Sequence, residues 1–283
     1  MADAADGTKK RRKTRAATEP PEPPEPPETG GGGGSSNNDE GMLRGTGPAP
    51  IRRRAPAPPR RRLGSLAGPH SILQEERVIV GVDIGIKNLS VARLRWPAGS
   101  SLPSRTDPQL TRAKVLLASA RVAEWCVIDL IPGKSCRNLS HTSILDALVR
   151  CFRSEHPGIF TGASAVVIEV QRTSIMKMVQ AALFVTARMQ APTDAEIVCQ
   201  SGLKKLDFGA QDMAELCGKR ITTSTYAQRK QAAVTLCNSL LRYLPSFAEN
   251  ADAVQSFEGS KKKDDYGDSL LHCLAYASDH LYC

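Results

Sequence analysis

Two short segments constrain the fold of this chain most: Arg77-Val-Ile-Val-Gly-Val-Asp83 and Ala165-Val-Val-Ile-Glu-Val170. Both are β-branched and apolar without alternation, so each reads as a buried strand, and each carries a carboxylate at its end. Around them the spacing of apolar residues predicts the remaining elements. Leu89 to Leu94 and Ala120 to Leu130 read as strands that would form an antiparallel meander with the first. Arg95 to Thr111 is polar and contains proline, which predicts a loop. Ile144, Leu145, Leu148 and Phe152 recur at helical spacing and predict a helix over Ser140 to Arg153. A Met- and Ala-rich helix is expected over Ser174 to Met189, a brief strand over Glu196 to Cys199, and helices over Thr225 to Tyr243 and Asp264 to Tyr282. Residues 202–220, with two glycines and mixed charge, read as an irregular insertion. The order is three strands, helix, strand, helix, strand, helix, helix, an α/β chain with five strands and no internal repeat.

The first seventy residues differ from the rest. A basic cluster, Lys9-Lys-Arg-Arg-Lys13, is followed by the Pro-Glu repeat Pro20 to Glu28, the glycine run Gly30 to Gly34, and the arginine triplets Arg52–Arg54 and Arg60–Arg62. Too little apolar surface is present there to offset the entropy of ordering, so residues 1–70 are expected to be a disordered basic Pro/Gly-rich tail. Residues 71–283 are then the folded domain, of a size that suits one core. Lys9 to Lys13 reads either as a nuclear import patch or as a solvated arm adding nonspecific DNA affinity.

The formal charge is +9, which favours a polyanionic partner because Lys and Arg release counterions from phosphates. The eight cysteines show no C-x-x-C spacing and histidine is rare, which argues against a structural zinc site; reduced core thiols in a reducing compartment are the simpler expectation. Asn88 and Asn138 match the glycosylation pattern, but nothing else suggests secretion. No apolar run reaches the ~20 residues that span a bilayer, and no membrane partner is expected.

Three motifs carry chemistry. In Gly81-Val-Asp83-Ile-Gly85-Ile-Lys87-Asn88 a strand delivers an acid to the sheet edge beside open backbone; alone, such an acid more often merely starts a turn. In Val166-Val-Ile-Glu169-Val-Gln171-Arg172 a glutamate in an apolar strand is costly unless it is paired or holds a cation. In Lys261-Lys-Lys-Asp264-Asp265-Tyr-Gly-Asp268, Asp264 and Asp268 stand at i and i+4 and Asp265 and Asp268 at i and i+3, so either pair shares one helix face, where they repel unless a cation lies between them or the helix dipole stabilises them. A strand-borne Asp, a strand-borne Glu and a helix-borne acidic pair, in that order, form the RNase H-like nuclease pattern.

D-I-G-x-K-N, I-E-x-Q-R and K-K-D-D-x-x-D-S-L-L together resemble the signatures of the fungal mitochondrial and poxviral Holliday junction resolvases, relatives of bacterial RuvC. Tyr226-Ala-Gln-Arg229-Lys230 resembles the basic helix start that precedes the last acidic helix in these enzymes. The resemblance covers about residues 77–283. It implies an RNase H-like mixed five-stranded sheet with flanking helices and a structure-selective endonuclease that hydrolyses phosphodiesters in four-way and other branched DNA. Mg²⁺, with Mn²⁺ as a substitute, would be held by Asp83, Glu169, Asp264 and Asp268. Asp265 also belongs to the catalytic set, and the choice between it and Asp264 is open. Hard oxygen donors without His or Cys suit that ion. Lys87, Gln171, Arg172, Arg229, Lys230, Lys261, Lys262 and Lys263 are candidate DNA contacts, with solvated surface as the competing reading for the basic ones.

A homodimer is expected because a four-way junction presents two equivalent strands. Its surface would be the Ser174–Met189 helix, through Met176, Met178, Ala181, Ala182 and Val185, unless that face simply packs on the sheet. The compartment is expected to be intracellular, either the nucleus or a viral replication site, with the mitochondrion as alternative. Two other functions compete. An actin/Hsp70-like ATPase would need a glycine-rich nucleotide loop after Gly85, and none is present. A catalytically inactive RNase H-like DNA-binding protein would show the loss of an acid, and all are present.

Overall fold

A computed structural model describes residues 72–135 and 139–283. The expectations placed on the tail, Cys136 and Asn138 lie outside those residues. Among the described residues five strands form one sheet: β1 (Arg77–Asp83), β2 (Leu89–Trp96), β3 (Arg121–Ile128), β4 (Ala165–Glu169) and β5 (Glu196–Gln200). Their spatial order is β3-β2-β1-β4-β5. β1, β2 and β3 pair antiparallel, as the expected meander, while β4 and β5 add parallel to the other side of β1. This is a mixed five-stranded sheet with flanking helices, the arrangement that the resemblance implies.

β1 lies at the centre because it has no polar face. Ile79 points into one core with Val167 of β4, and Val80 and Val82 point into the other with Val166 and Ile168. The second core is closed by α2 (His141–Arg150) and α3 (Ser174–Gln190). The first is closed by α1 (Gln109–Leu117), α5 (Tyr226–Leu240) and α7 (Lys263–His280). Two more helices, α4 (Ala210–Cys217) and α6 (Ala248–Gly259), pack at its margin through Met213 and Phe257.

α7 is the central helix. It is buried continuously from Gly267 to Ser278, with Asp268, Ser269 and His272 inside that stretch. It sits close on the sheet because Gly81 has no side chain: a Cβ there would lie 2.3 Å from the carbonyl oxygen of Ser269. Ser90 of β2 and Ser269 share a buried hydrogen bond of 2.6 Å, and the Cys273 thiol donates to the Ala92 carbonyl at 3.2 Å. These contacts fix both the rotation and the height of α7 over β1 and β2.

Several expectations need correction. The loop expected over Arg95–Thr111 is shorter, because β2 runs to Trp96 and α1 begins at Gln109, just after Pro108. Leu110, Ala113, Leu116 and Leu117 give α1 a buried stripe, and Trp96 donates its indole N–H to the Leu116 carbonyl at 2.8 Å. α6 was not expected either; within it only Asn250 and Phe257 are buried, too little for a periodic signal. The helix expected to run to Arg153 changes form after Arg150, and Cys151–Glu155 make a π turn. Residues 202–220 are not irregular throughout: they hold a 3₁₀ turn, Lys204–Leu206, and α4.

α3 buries Val179, Leu183 and Ala187 against the sheet. Of the residues expected on a dimer surface, Met176, Met178 and Ala182 are half-buried against that same core. Ala181 and Val185 are exposed, beside Phe184 and Met189. The seven described cysteines are all free thiols; Cys151, Cys237 and Cys273 are buried. No described helix is long and apolar enough to cross a membrane.

Candidate active site

β1 and β4 are parallel neighbours with Val82 opposite Ile168, so Asp83 and Glu169 end their strands side by side. Both belong to the face that α7 covers, by the two-residue period that puts Ile79 and Val167 there. α7 contributes Asp265, Asp268 and His272, at i, i+3 and i+7 on one face of the helix. Gly202, just after β5, leaves the room that Glu169 occupies: a Cβ at this position would lie 2.1 Å from Glu169 Oε1.

Lys205, from the 3₁₀ turn, enters the middle of this group. Its Nζ is 2.8 Å from Asp268 Oδ2, 3.4 Å from Glu169 Oε1 and 3.9 Å from Asp83 Oδ1. Lys205, Asp83 and Asp268 are each no more than 9% exposed. A lysine so buried is tolerable only when compensated. Burial alone would lower its pKa, but Asp83, Asp268 and Glu169 together raise it, so it stays charged.

Three carboxylates exceed one ammonium, and the excess shows in their protonation. Burial and the hydrogen bond with Glu169 push Asp83 well above the ordinary carboxylate range. Burial also acts upward on Glu169, but the hydrogen bond with Asp83 and the charge of Lys205 hold it lower. The two acids are thus pushed apart in opposite directions, as closely placed carboxylates are. Burial raises Asp268 to about 6 despite Lys205.

Polar atoms remain without partners at this corner. Asp268 Oδ1, Asp265 Oδ2 and both ring nitrogens of His272 are buried and make no hydrogen bond. One ligand atom each from Asp83, Glu169 and His272 lies within 4.8 Å of the others. Burial depresses His272 to about 3, leaving a neutral imidazole with a free lone pair. Unsatisfied buried donors and acceptors are uncommon, and a bound ion is one of the few arrangements that satisfies them. The carboxylate oxygens fit a hard divalent cation, and His272 adds an imidazole to the all-oxygen set that the sequence implied.

Asp264 and Asp265 separate. The Lys230 ammonium binds Asp264 Oδ2 and stands 4.0 Å from Asp265 Oδ1. Burial would raise Asp264, but the Lys230 hydrogen bond outweighs it and lowers the pKa. Asp265 is more deeply buried, and burial and the charge of Asp264 raise its pKa. Only Asp265 of the two faces the charges of Lys205 and Asp268.

The candidate DNA contacts also divide. A cleft of about 610 Å³ opens from Glu169, Lys205 and Asp268 toward Arg172, Arg229 and Lys230. Gln171 donates to Glu169 Oε2 at 3.2 Å and orients it, while its own N–H is held by Gln180 at 2.7 Å. Lys87 is engaged elsewhere, by Asp129 at 3.2 Å and the Ile131 carbonyl at 3.0 Å, where it pins the segment after β3. Lys261 and Lys262 are exposed at the start of α7, and Lys263 lies over the Phe257 ring.

Lys205 and His272 escaped the sequence reading. His272 had a signal, its i+4 spacing from Asp268. Lys205 had none, because it lies in a segment without periodicity.

No family model matches this chain, and no curated protein matches it. Among solved structures it is similar to the yeast mitochondrial Holliday junction resolvase Ydc2, at 16% identity and a TM-score of 0.47, over 74% of this chain and 80% of that one. It is also similar to the Fowlpox virus resolvase, solved with substrate Holliday junction DNA, at 14% identity and a TM-score of 0.40, over 70% of this chain and 95% of that one.

Proposed function

We propose that this chain is a structure-selective endonuclease that resolves Holliday junctions and other branched DNA by Mg²⁺-dependent phosphodiester hydrolysis. The observation that carries this reading is the convergence of Asp83, Glu169 and Asp268 at one buried corner, with unpaired oxygens, at the inner end of a basic cleft. Asp83, Glu169, Asp268 and Asp265 are the ligands we assign, with Asp265 preferred over Asp264 because Lys230 engages the latter. His272 stands close enough to complete the set. Bound there, Mg²⁺ would supply Lewis-acid stabilisation of the attacking and leaving oxygens, for which Mn²⁺ would substitute.

The chain's own residues have separate tasks. Gln171 and Gly202 hold Glu169 in its rotamer. α7 and the sheet exclude water from the inner side of the acids, which strengthens each electrostatic contact. Arg172, Arg229 and Lys230 line the path along which a phosphate backbone would approach; such contacts position a substrate without reading its sequence. A second copy would pair through the exposed side of α3, where Ala181, Phe184 and Val185 border a shallow apolar groove with Val170.

One observation favours a second reading, an inactive DNA-binding protein: Lys205 already supplies a positive charge to the three acids. A cleavage assay on a four-way junction decides between them. Mg²⁺-dependent nicking that is lost in Asp83→Asn supports the nuclease. Junction binding without nicking in either Mg²⁺ or Mn²⁺ would leave the binding protein.

A further inference from the structure

A second group of metal-ligating side chains lies on the face of the sheet away from α7. Glu124 and Cys126, two residues apart on the edge strand β3, point to one side, and His156 reaches them from the end of the π turn. His156 Nδ1 is 3.1 Å from Glu124 Oε1, and Cys126 Sγ is 4.0 Å from the same oxygen. All three ligand atoms fall within 4.8 Å of one another. Cys126 packs against the core that α2 and α3 close, whereas the intervening Trp125 packs with the α7 core and donates to the Tyr266 carbonyl at 2.9 Å. The acids of the candidate active site thus lie on the opposite face.

The surroundings hold this trio in place. The π turn ends with the His156 N–H on the Cys151 carbonyl at 2.7 Å, which sets where the ring emerges. π turns inside α-helical segments often mark functional positions. The Arg93 guanidinium binds the carbonyls of Gly158 at 3.0 Å and Thr161 at 2.8 Å, tying the loop after His156 to β2. Its positive charge is thereby engaged by main-chain oxygens. The side chains of His156 and Glu124 remain 27% and 33% exposed, so an ion has a route in from solvent.

We infer that Glu124, Cys126 and His156 form a binding site for a divalent transition metal of the zinc class. One thiolate, one imidazole and one carboxylate are the donor types zinc takes, and the ligand separations are commensurate with the edges of a tetrahedron that leaves one corner for water. A thiolate and a carboxylate also neutralise a 2+ ion. Mg²⁺ and Ca²⁺ prefer all-oxygen shells, and the thiolate makes this trio the softer of the two donor sets. The absence of a C-x-x-C spacing hides this site from the sequence, because the fold assembles it from positions 124, 126 and 156.

The competing arrangement is a Glu124–His156 ion pair with a bystander thiol. Co²⁺ distinguishes them, since a cobalt–thiolate bond gives an intense near-ultraviolet charge-transfer band that carboxylate and imidazole ligands lack. Full-length protein, stripped with a chelator, is titrated with Co²⁺. The expected result is this band, abolished in Cys126→Ser and unchanged in Cys199→Ser and Asp268→Asn. His156→Asn should weaken Co²⁺ binding by more than about tenfold. Wild-type protein without the band, or a band of equal size in Cys126→Ser, overturns the site. If Cys126→Ser does not fold, the half-exposed His156→Asn decides, and an unchanged affinity in it overturns the site equally.

Discussion

Lys205 Nζ lies 2.8 Å from Asp268 Oδ2, in a position where neither residue is more than 9% exposed. A cation and a carboxylate so buried belong to one electrostatic unit with Asp83 and Glu169. Removing either sign from that unit should therefore have opposite effects on the metal-free and metal-bound protein.

Lys205→Met removes the internal cation and leaves three carboxylates facing one another. The metal-free variant should lose about 3–5 kcal/mol, the usual cost of breaking a buried pair. Mg²⁺ should restore more stability to the variant than it adds to wild type. Thermal melts with and without Mg²⁺ measure both; equal Mg²⁺ shifts in the two proteins would show that Lys205 and the ion do not share a site.

Asp83→Asn should reduce junction cleavage by more than about a hundred-fold, since even groups behind the ligands of a metal site contribute 10–100-fold. Junction affinity should stay within a few-fold of wild type, because the cleft arginines and Lys230 are untouched. Normal turnover by this variant in Mg²⁺ would remove Asp83 from the site.

Asp264 and Asp265 should behave differently although they are adjacent. Asp265→Asn should lose cleavage as Asp83→Asn does. Asp264→Asn should cut at a rate within about tenfold of wild type and chiefly weaken junction binding, because it frees Lys230 from its partner. Single-turnover rates alongside binding curves separate the two effects, and the reverse pattern would reassign the ligand.

Asn250, although on a helix with little other burial, joins three segments. Its side chain accepts the Val122 N–H at 2.7 Å and donates to the carbonyls of Ala120 at 3.2 Å and Pro245 at 2.9 Å. Asn250→Ala leaves those groups unpaired inside the protein and should cost about 1–3 kcal/mol. Denaturant unfolding measures it; a change under about 0.5 kcal/mol would mean that water reaches the site.

A chain beginning at Ser71 should fold and retain the cleavage activity proposed for the whole protein. Its DNA affinity should fall, and its binding should depend less steeply on salt, with the basic clusters of the first seventy residues gone. Failure of this fragment to fold would move the domain boundary.

The parts of the fold legible in the sequence are those where one residue type repeats with one period. β1 and β4 announced themselves because burial on both faces leaves only apolar residues, and the acids at their ends stood out against that background. α1 and α6 did not, the one following a proline-rich stretch and the other burying only Asn250 and Phe257. Lys205 illustrates a different limit. Lysine is common on surfaces, and nothing local tells a buried one apart; its burial follows from three acids delivered by β1, β4 and α7, far away in the chain. The preference proposed for Asp265 over Asp264 had no local signal for the same reason, since it rests on Lys230 of another helix.

Gly81 lets the backbone of β1 approach that of α7 so closely that no side chain separates them, and the Ser90–Ser269 hydrogen bond locks the pair. The spacing between Asp83 and Asp268 is thus set by main chain, with little freedom for the protein to reshape itself around what it holds. For a nuclease of the kind proposed, compliance must come from the nucleic acid. Continuous duplex is stiff over about 150 base pairs and resists being bent into a fixed corner. A branch point, where strands pass between arms and the duplex is interrupted, bends at less cost, so rigidity in the protein would become a preference for junctions without any contact that recognises one.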